Sequence, residues 1–340
     1  MTSGSPGRLI ILFAVPLMLG NICQQLYTMV DTMVVGQIAG VEALAALGAV
    51  DFLMWVVTGI STGLTQGFSI QLSQYYGAKD FYNLRRSLAH SYRLTALIAV
   101  GVLILSQSFA ALVLTGLHTP SNIIGMSLLY LRIIFCGIPA TAAYNMFASA
   151  LRAMGNSKTP LTAMIIASVL NISLDILFVA GFRWGVAGAA IATVIAQSFS
   201  AVYCFLILRK IDIVHLTRAD FMSASGMNAR LMKLGIPVVF QNIIIGVGGL
   251  VVQYVINGYG FLFVAGFTAT NKLLWSAGNG RYFLWICHCY LCRSESGGRK
   301  DCPDQERCSQ QYVAFPAHLT DHFCCHVFIR KKYSLTFHLR

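Results

Sequence analysis

Seven apolar runs, each long enough to cross a bilayer as a helix, decide what this chain can become. They cover roughly 9–37, 45–72, 88–116, 122–151, 160–182, 186–208 and 231–258, and an eighth starts at Phe261. A spanning helix needs about 20 predominantly apolar residues. In hydrocarbon the backbone must satisfy its own N–H and C=O groups, which leaves helices or a closed barrel. Unbroken runs of this length select helices, so the expectation is an all-α polytopic membrane protein. Only 11% of residues are charged against 56% apolar, which excludes a soluble globule.

The formal charge of +12 is spread singly over short loops, so it reads as a topology signal and not as a nucleic-acid surface. Lys79, Arg85 and Arg86 follow the second run, and Arg152 and Lys158 the fourth. Arg209, Lys210, Arg218, Arg230 and Lys233 surround the loop after the sixth. The loops after the first and third runs hold no Lys or Arg, and the loop after the fifth holds only Arg183. By the positive-inside rule the N-terminus is cytoplasmic and the protein is a multi-pass plasma-membrane protein. The first run is too long for a cleavable leader and lacks a small-residue cleavage pattern, so it reads as a retained helix.

Two acids lie inside these runs. Asp31 interrupts the first, and Asp175 the fifth, with Asn171 one helical turn before it. A carboxylate at that depth is costly unless it faces a cavity or a partner, so both are functional candidates and point to ion-coupled transport. Asp31 lies roughly 9 Å from the outer end of its run, and Asp175, Asn171 and Thr193 fall at a similar depth. Asn171 and Asp175, four residues apart, share a helix face. Carboxylate, amide and hydroxyl oxygens suit a hard cation such as Na⁺, and two buried acids equally suit protons. Each of the four also fits a structural hydrogen bond between helices.

Asn21, Gln24, Tyr27 and Thr28 share a stripe with Asp31, which suits either a water-filled cavity wall or a polar interhelical seam. Asp51 sits near the outer end of its run and reads as interfacial. Pro16 and Pro139 interrupt helices and permit bending. Cys23, Cys136 and Cys204 read as buried thiols, and Arg132 is assigned no role. His90 and His118 lie near loops, and no catalytic dyad falls within the runs, so an enzyme is not expected.

The chain also repeats itself. At an offset of about 220 residues, Pro16 and Asn21 fall on Pro237 and Asn242, and the segment 44–51 falls on 264–271. Both copies start on the same side, so the repeats are parallel and imply about twelve spans in two bundles of six. The pattern ends at Leu273–Leu274. Beyond it, 7 of the 10 cysteines and 5 of the 8 histidines crowd into 67 residues. The segment LCRSESGGRK (Leu291–Lys300) is compatible with codons whose next frame reads YVGQNLGAGR, which restores the repeat of Ser73–Ala78. Residues 274–340 are therefore expected to be an out-of-frame, disordered tail. Cys289, Cys292, Cys302, Cys308, His322 and His326 match no zinc spacing, so no metal is assigned to them.

Several segments in order resemble the multidrug and toxic compound extrusion (MATE) transporters over residues 8–273. They are PLMLGN (16–21), DTMVVG (31–36), GAKD (77–80), ALRAMGN (150–156), NISLD (171–175), GVAGAAIAT (185–193) and ATNK (269–272). The resemblance implies a complete six-helix first lobe of a 6+6 fold, plus helix 7 and the start of helix 8. The expected domains are the first lobe (1–209), a cytoplasmic linker (210–230), the start of the second lobe (231–273) and the tail (274–340). It implies export of drug-like organic cations or other small molecules in exchange for Na⁺ or H⁺, without a further cofactor. Asp31, Asn171, Asp175 and Thr193 match the family's first-lobe cation site. Most of the second lobe is missing, so this chain is expected to be inactive by itself. The alternatives are a lipid-linked oligosaccharide flippase, which would favour a cationic lining, or a remnant that binds intact homologues.

Overall fold

The computed structural model describes residues 6–221 and 226–272, and the predicted tail lies outside them. Among the described residues every regular element is helical. The helices are α1 (Pro6–Ile38), α2 (Val41–Gly77), α3 (Phe81–Gly116), α4 (Ile124–Cys136), α5 (Ile138–Ala153), α6 (Lys158–Asp175), α7 (Gly185–Arg209) and α8 (Met227–Asn257). A ninth, α9, occupies 261–272. Four of these helices are single spans by length and composition, α6 with its extension to Gly181 is a fifth, and the pair α4–α5 makes a sixth.

Two predicted single helices are broken. The run 122–151 divides at Gly137, and α4 and α5 meet at 47°. Pro139 lies in the first turn of α5, where its missing N–H costs nothing, whereas a continuous helix would lose a hydrogen bond there. The run 160–182 changes at Asp175 into a π-helical stretch, Ile176–Gly181. The N–H of Phe182 donates to Leu177 O, five residues back, at 2.9 Å. This wider turn lays Phe178 on Gly188 of α7, where a β-carbon would stand 3.0 Å from that of Phe178. Pro16 and Pro237 both sit inside helices that continue through them.

Packing inside the bundle is dominated by small residues. Gly59, Gly63 and Gly67, one per turn on α2, let α8 approach backbone to backbone. A β-carbon on Gly63 would lie 2.9 Å from Val239 Cα, and one on Gly67 would lie 2.7 Å from Leu234 C. Asn242 donates to Gly59 O at 3.0 Å along the same seam. Large side chains such as Phe68, Phe135 and Leu131 fill the interior, while Leu97, Ile104, Leu105, Phe109 and Leu112 leave an apolar outer face on α3, as a lipid-facing helix requires. Of the three thiols read as buried, only Cys204 is; Cys23 is half-buried and Cys136 exposed. Cys136 closes α4 at the break and accepts from Gln107 Nε2, so the helix end turns it outward.

Short caps fix the connections. Asp80 begins α3 by accepting from Asn83 N at 3.1 Å and Nδ2 at 2.6 Å. Those hydrogen bonds, the side-chain one first, hold its carboxyl below the usual carboxylate range. His90, read as near a loop, is buried within α3, with Nδ1 2.8 Å from Asn228 Oδ1 at the start of α8.

Candidate functional site

Three helices bring the four predicted residues into one neighbourhood. Asp31 comes from α1, Asn171 and Asp175 from α6, and Thr193 from α7; α6 packs on both of the others. Asn171 Nδ2 donates to Thr193 Oγ1 at 3.4 Å. Asp31 and Asp175 are electrostatic neighbours. Both carboxylates are buried, at 6% and 0% exposure, and Asn171 is buried at 1%.

The state of their oxygens defines the chemistry. Asp31 Oδ1, both carboxylate oxygens of Asp175 and Asn171 Oδ1 are buried and accept no hydrogen bond among the described residues. Asn171 spends its N–H on Thr193, so its carbonyl oxygen is the end left open. A buried carboxylate without a donor is strongly unfavourable, and two neighbouring ones more so. Such a set of acceptors is completed by positive charge, as protons or as a hard cation held by oxygen ligands. Beside it, Tyr27, Asn171, Thr193 and Gln197 line a cavity of about 10 Å³ with room for the centre of one water-sized species.

The predicted stripe on α1 is graded. Asn21 and Gln24 are exposed, Tyr27 and Thr28 half-buried, and Asp31 buried. Tyr27 therefore joins the site, whereas Thr28 turns its hydroxyl back to Gln24 O at 2.8 Å. Three groups escaped the sequence reading. Gln197 lies one turn beyond Thr193 on α7, and the four-residue spacing was a usable signal. Tyr130 on α4, buried at 6%, has Asp31, Asp51, Asp175 and Tyr27 as charge neighbours, and nothing local in sequence distinguishes it. The third is the ion pair of Asp51, read as interfacial, with Lys272 of α9 at 2.9 Å. The partner is 221 residues away, so no local pattern predicts it.

These elements are similar to those of known proteins. Residues 16–177 match the MatE family, a segment that holds Asp31, Asn171 and Asp175. The chain is 32% identical over 272 residues to the Bacillus subtilis (strain 168) protein described as "Probable multidrug resistance protein YpnP". The likeness to the MatE family covers slightly less than half of the chain. The alignment to the Bacillus subtilis protein takes in 80% of this chain and 61% of the relative, so the chain spans about three fifths of the relative's length. Two solved structures of "a multidrug resistance MATE family transporter of the MOP superfamily" share the fold. The inward-facing one has a TM-score of 0.68 at 22% identity, covering 75% of this chain and 60% of that one. The outward-facing one has a TM-score of 0.68 at 23% identity, covering 84% and 68%. The fold is thus similar to both conformations at the same TM-score.

Proposed function

We propose that this chain is the first lobe and the opening of the second lobe of a cation-coupled multidrug efflux antiporter. The observation that carries the reading is the buried pair Asp31 and Asp175, electrostatic neighbours whose oxygens, like Asn171 Oδ1, include ones with no hydrogen-bond partner among the described residues. A cation or proton entering from outside would neutralise the two acids. A drug-like substrate bound from inside would favour the cation-free state. Coupling needs only that the two ligands prefer different states. Asn21, Gln24 and Tyr27 would face the substrate path. The acidic and neutral lining disfavours a flippase for anionic lipid-linked sugars. In this reading the N-terminus is cytoplasmic, the protein sits in the plasma membrane, and residues 1–209 form the first lobe.

Alternating access needs two lobes, so the chain as it stands is proposed to bind its coupling ion without transporting. Residues 274–340 are proposed to be out-of-frame translation, which sequencing of the gene across the codons for Lys272 to Trp275 tests directly. A surplus base there, with a downstream frame opening through four or more spans, supports a complete antiporter. For the site itself, the experiment is thermal unfolding of the purified chain in detergent against Na⁺ and against pH. The proposal requires stabilisation by one of the two ions that D31N and D175N each abolish. An unchanged response in both variants would sink it. Export from cells carrying only this chain, above the vector background, would overturn its assignment as inactive.

A further inference from the structure

The ion pair between α2 and α9 lies on a repeat axis. The offset that aligns the two halves places Gly48 on Thr268, and these two residues touch: a β-carbon on Gly48 would lie 2.7 Å from Thr268 Cβ. A residue meeting its own repeat mate is what a twofold axis between the halves produces. One turn further along each helix, Lys272 Nζ lies 2.9 Å from Asp51 Oδ2, with the two side chains 20% and 30% exposed. Thr268 and Lys272 share a face of α9, as Gly48 and Asp51 share one of α2. The glycine thus sets the helix separation at which the lysine reaches its acid.

Lys272 serves more than Asp51. Its positive charge also acts on Asp31, as does the negative charge of Asp51. The titratable groups of this region are therefore Asp31, Asp51, Asp175, Tyr27, Tyr130 and Lys272, contributed by α1, α2, α4, α6 and α9. We infer that Lys272 is a coupling residue, a tethered internal cation from the second repeat that competes with the transported cation for the first-lobe acids. When the site is empty, Lys272 supplies the positive charge that Asp31 and Asp51 lack, and α9 is held against α2. When a cation loads at Asp31 and Asp175, the lysine is repelled and its hold weakens. By reciprocity, the strength of the α2–α9 contact and the affinity of the site oppose each other. The inference rests on the cation-site reading above.

The test uses the full chain in detergent, with half-saturation of the thermal-stability response measured for Na⁺ and for H⁺. A neighbouring unit charge acting at an effective dielectric near 20 is expected to change affinity on the order of tenfold. Lys272→Met removes the competitor, so the ion that binds is expected to half-saturate at about tenfold lower concentration. Lys272→Arg keeps the charge and the wild-type value. Asp51→Asn frees Lys272 to turn towards Asp31 and removes an attracting charge, so half-saturation moves about tenfold higher. Both neutralising variants break the same ion pair, and a merely structural pair would shift them in the same direction. Values for both within twofold of wild type, or shifts of equal sign, overturn the inference while leaving the cation site standing. If no response to either ion depends on Asp31 and Asp175, the cation-site reading itself fails and takes this inference with it.

Discussion

Gly67→Ala adds one carbon to the α2–α8 seam and should be among the most damaging small substitutions in the chain. The new β-carbon would stand 2.5 Å from Gly235 N and 2.7 Å from Leu234 C. Both are backbone atoms, so no rotamer change relieves the overlap, and separations between such atoms normally run about 3.5–4.0 Å. The helices must part by roughly 1 Å locally. A gap of that size forfeits a quarter to a half of each dispersion contact across the seam. With typical overpacking costs, the loss is about 2–3 kcal/mol. For a domain of this size that lowers Tm by about 5–10 °C. The control is Gly101→Ala on α3, where a β-carbon meets nothing within 4 Å. There alanine favours the helix by up to about 1 kcal/mol. Thermal unfolding of the two variants in one detergent measures the difference. Equal Tm values for Gly67→Ala and Gly101→Ala would refute the close approach of α2 and α8.

Three further outcomes follow from the same structure. In cation-free buffer at high pH, where protons no longer neutralise the pair, Asp175→Asn removes a buried charge with no donor among the described residues, so it should raise stability by about 1–3 kcal/mol, seen as a higher Tm; a lower Tm contradicts that reading. Asn242→Ala deletes the bond to Gly59 O and should cost about 0.5–1 kcal/mol, because interhelical hydrogen bonds in membranes are modest; chemical denaturation against wild type measures it. The side-chain and backbone bonds from Asn83 hold the folded-state pKa of Asp80 below the ordinary aspartate value of 3.8. Its stabilising effect is therefore present above pH 3.8 and fades as pH falls through the lower folded value. Asp80→Asn should remove that acid-side component from a melting profile, and an unchanged profile argues against the cap.

The spans were legible because a bilayer imposes length and apolarity on each helix separately, so every run could be recognised from its own residues. Their ends were less legible: the third run, read from 88, starts seven residues earlier at Phe81, behind the Asp80 cap. The breaks were less visible. Pro139 marked the bend in the fourth run, but the π-helical stretch after Asp175 depends on Phe178 seating against Gly188 of the next helix. The thiol of Cys136 was misjudged for the same reason, since its exposure depends on where α4 stops.

The four candidate residues could be grouped from sequence because polar atoms at matched depth in apolar runs have few alternatives. Membrane burial makes each of them costly alone, and that cost is written locally. Their pairing was a different matter. The orientation of Asn171 towards Thr193, the approach of Tyr130 to the acids and the reach of Lys272 to Asp51 all join residues far apart in the chain. The sequence by itself determined which segments are helical and which polar groups they must bury, although of the seven runs it marked only six are spans among the described residues. Only the tertiary structure decided which of those groups meet, because contact depends on helix rotation and separation, and glycines at 48, 59, 63 and 67 set both through close approach to other helices.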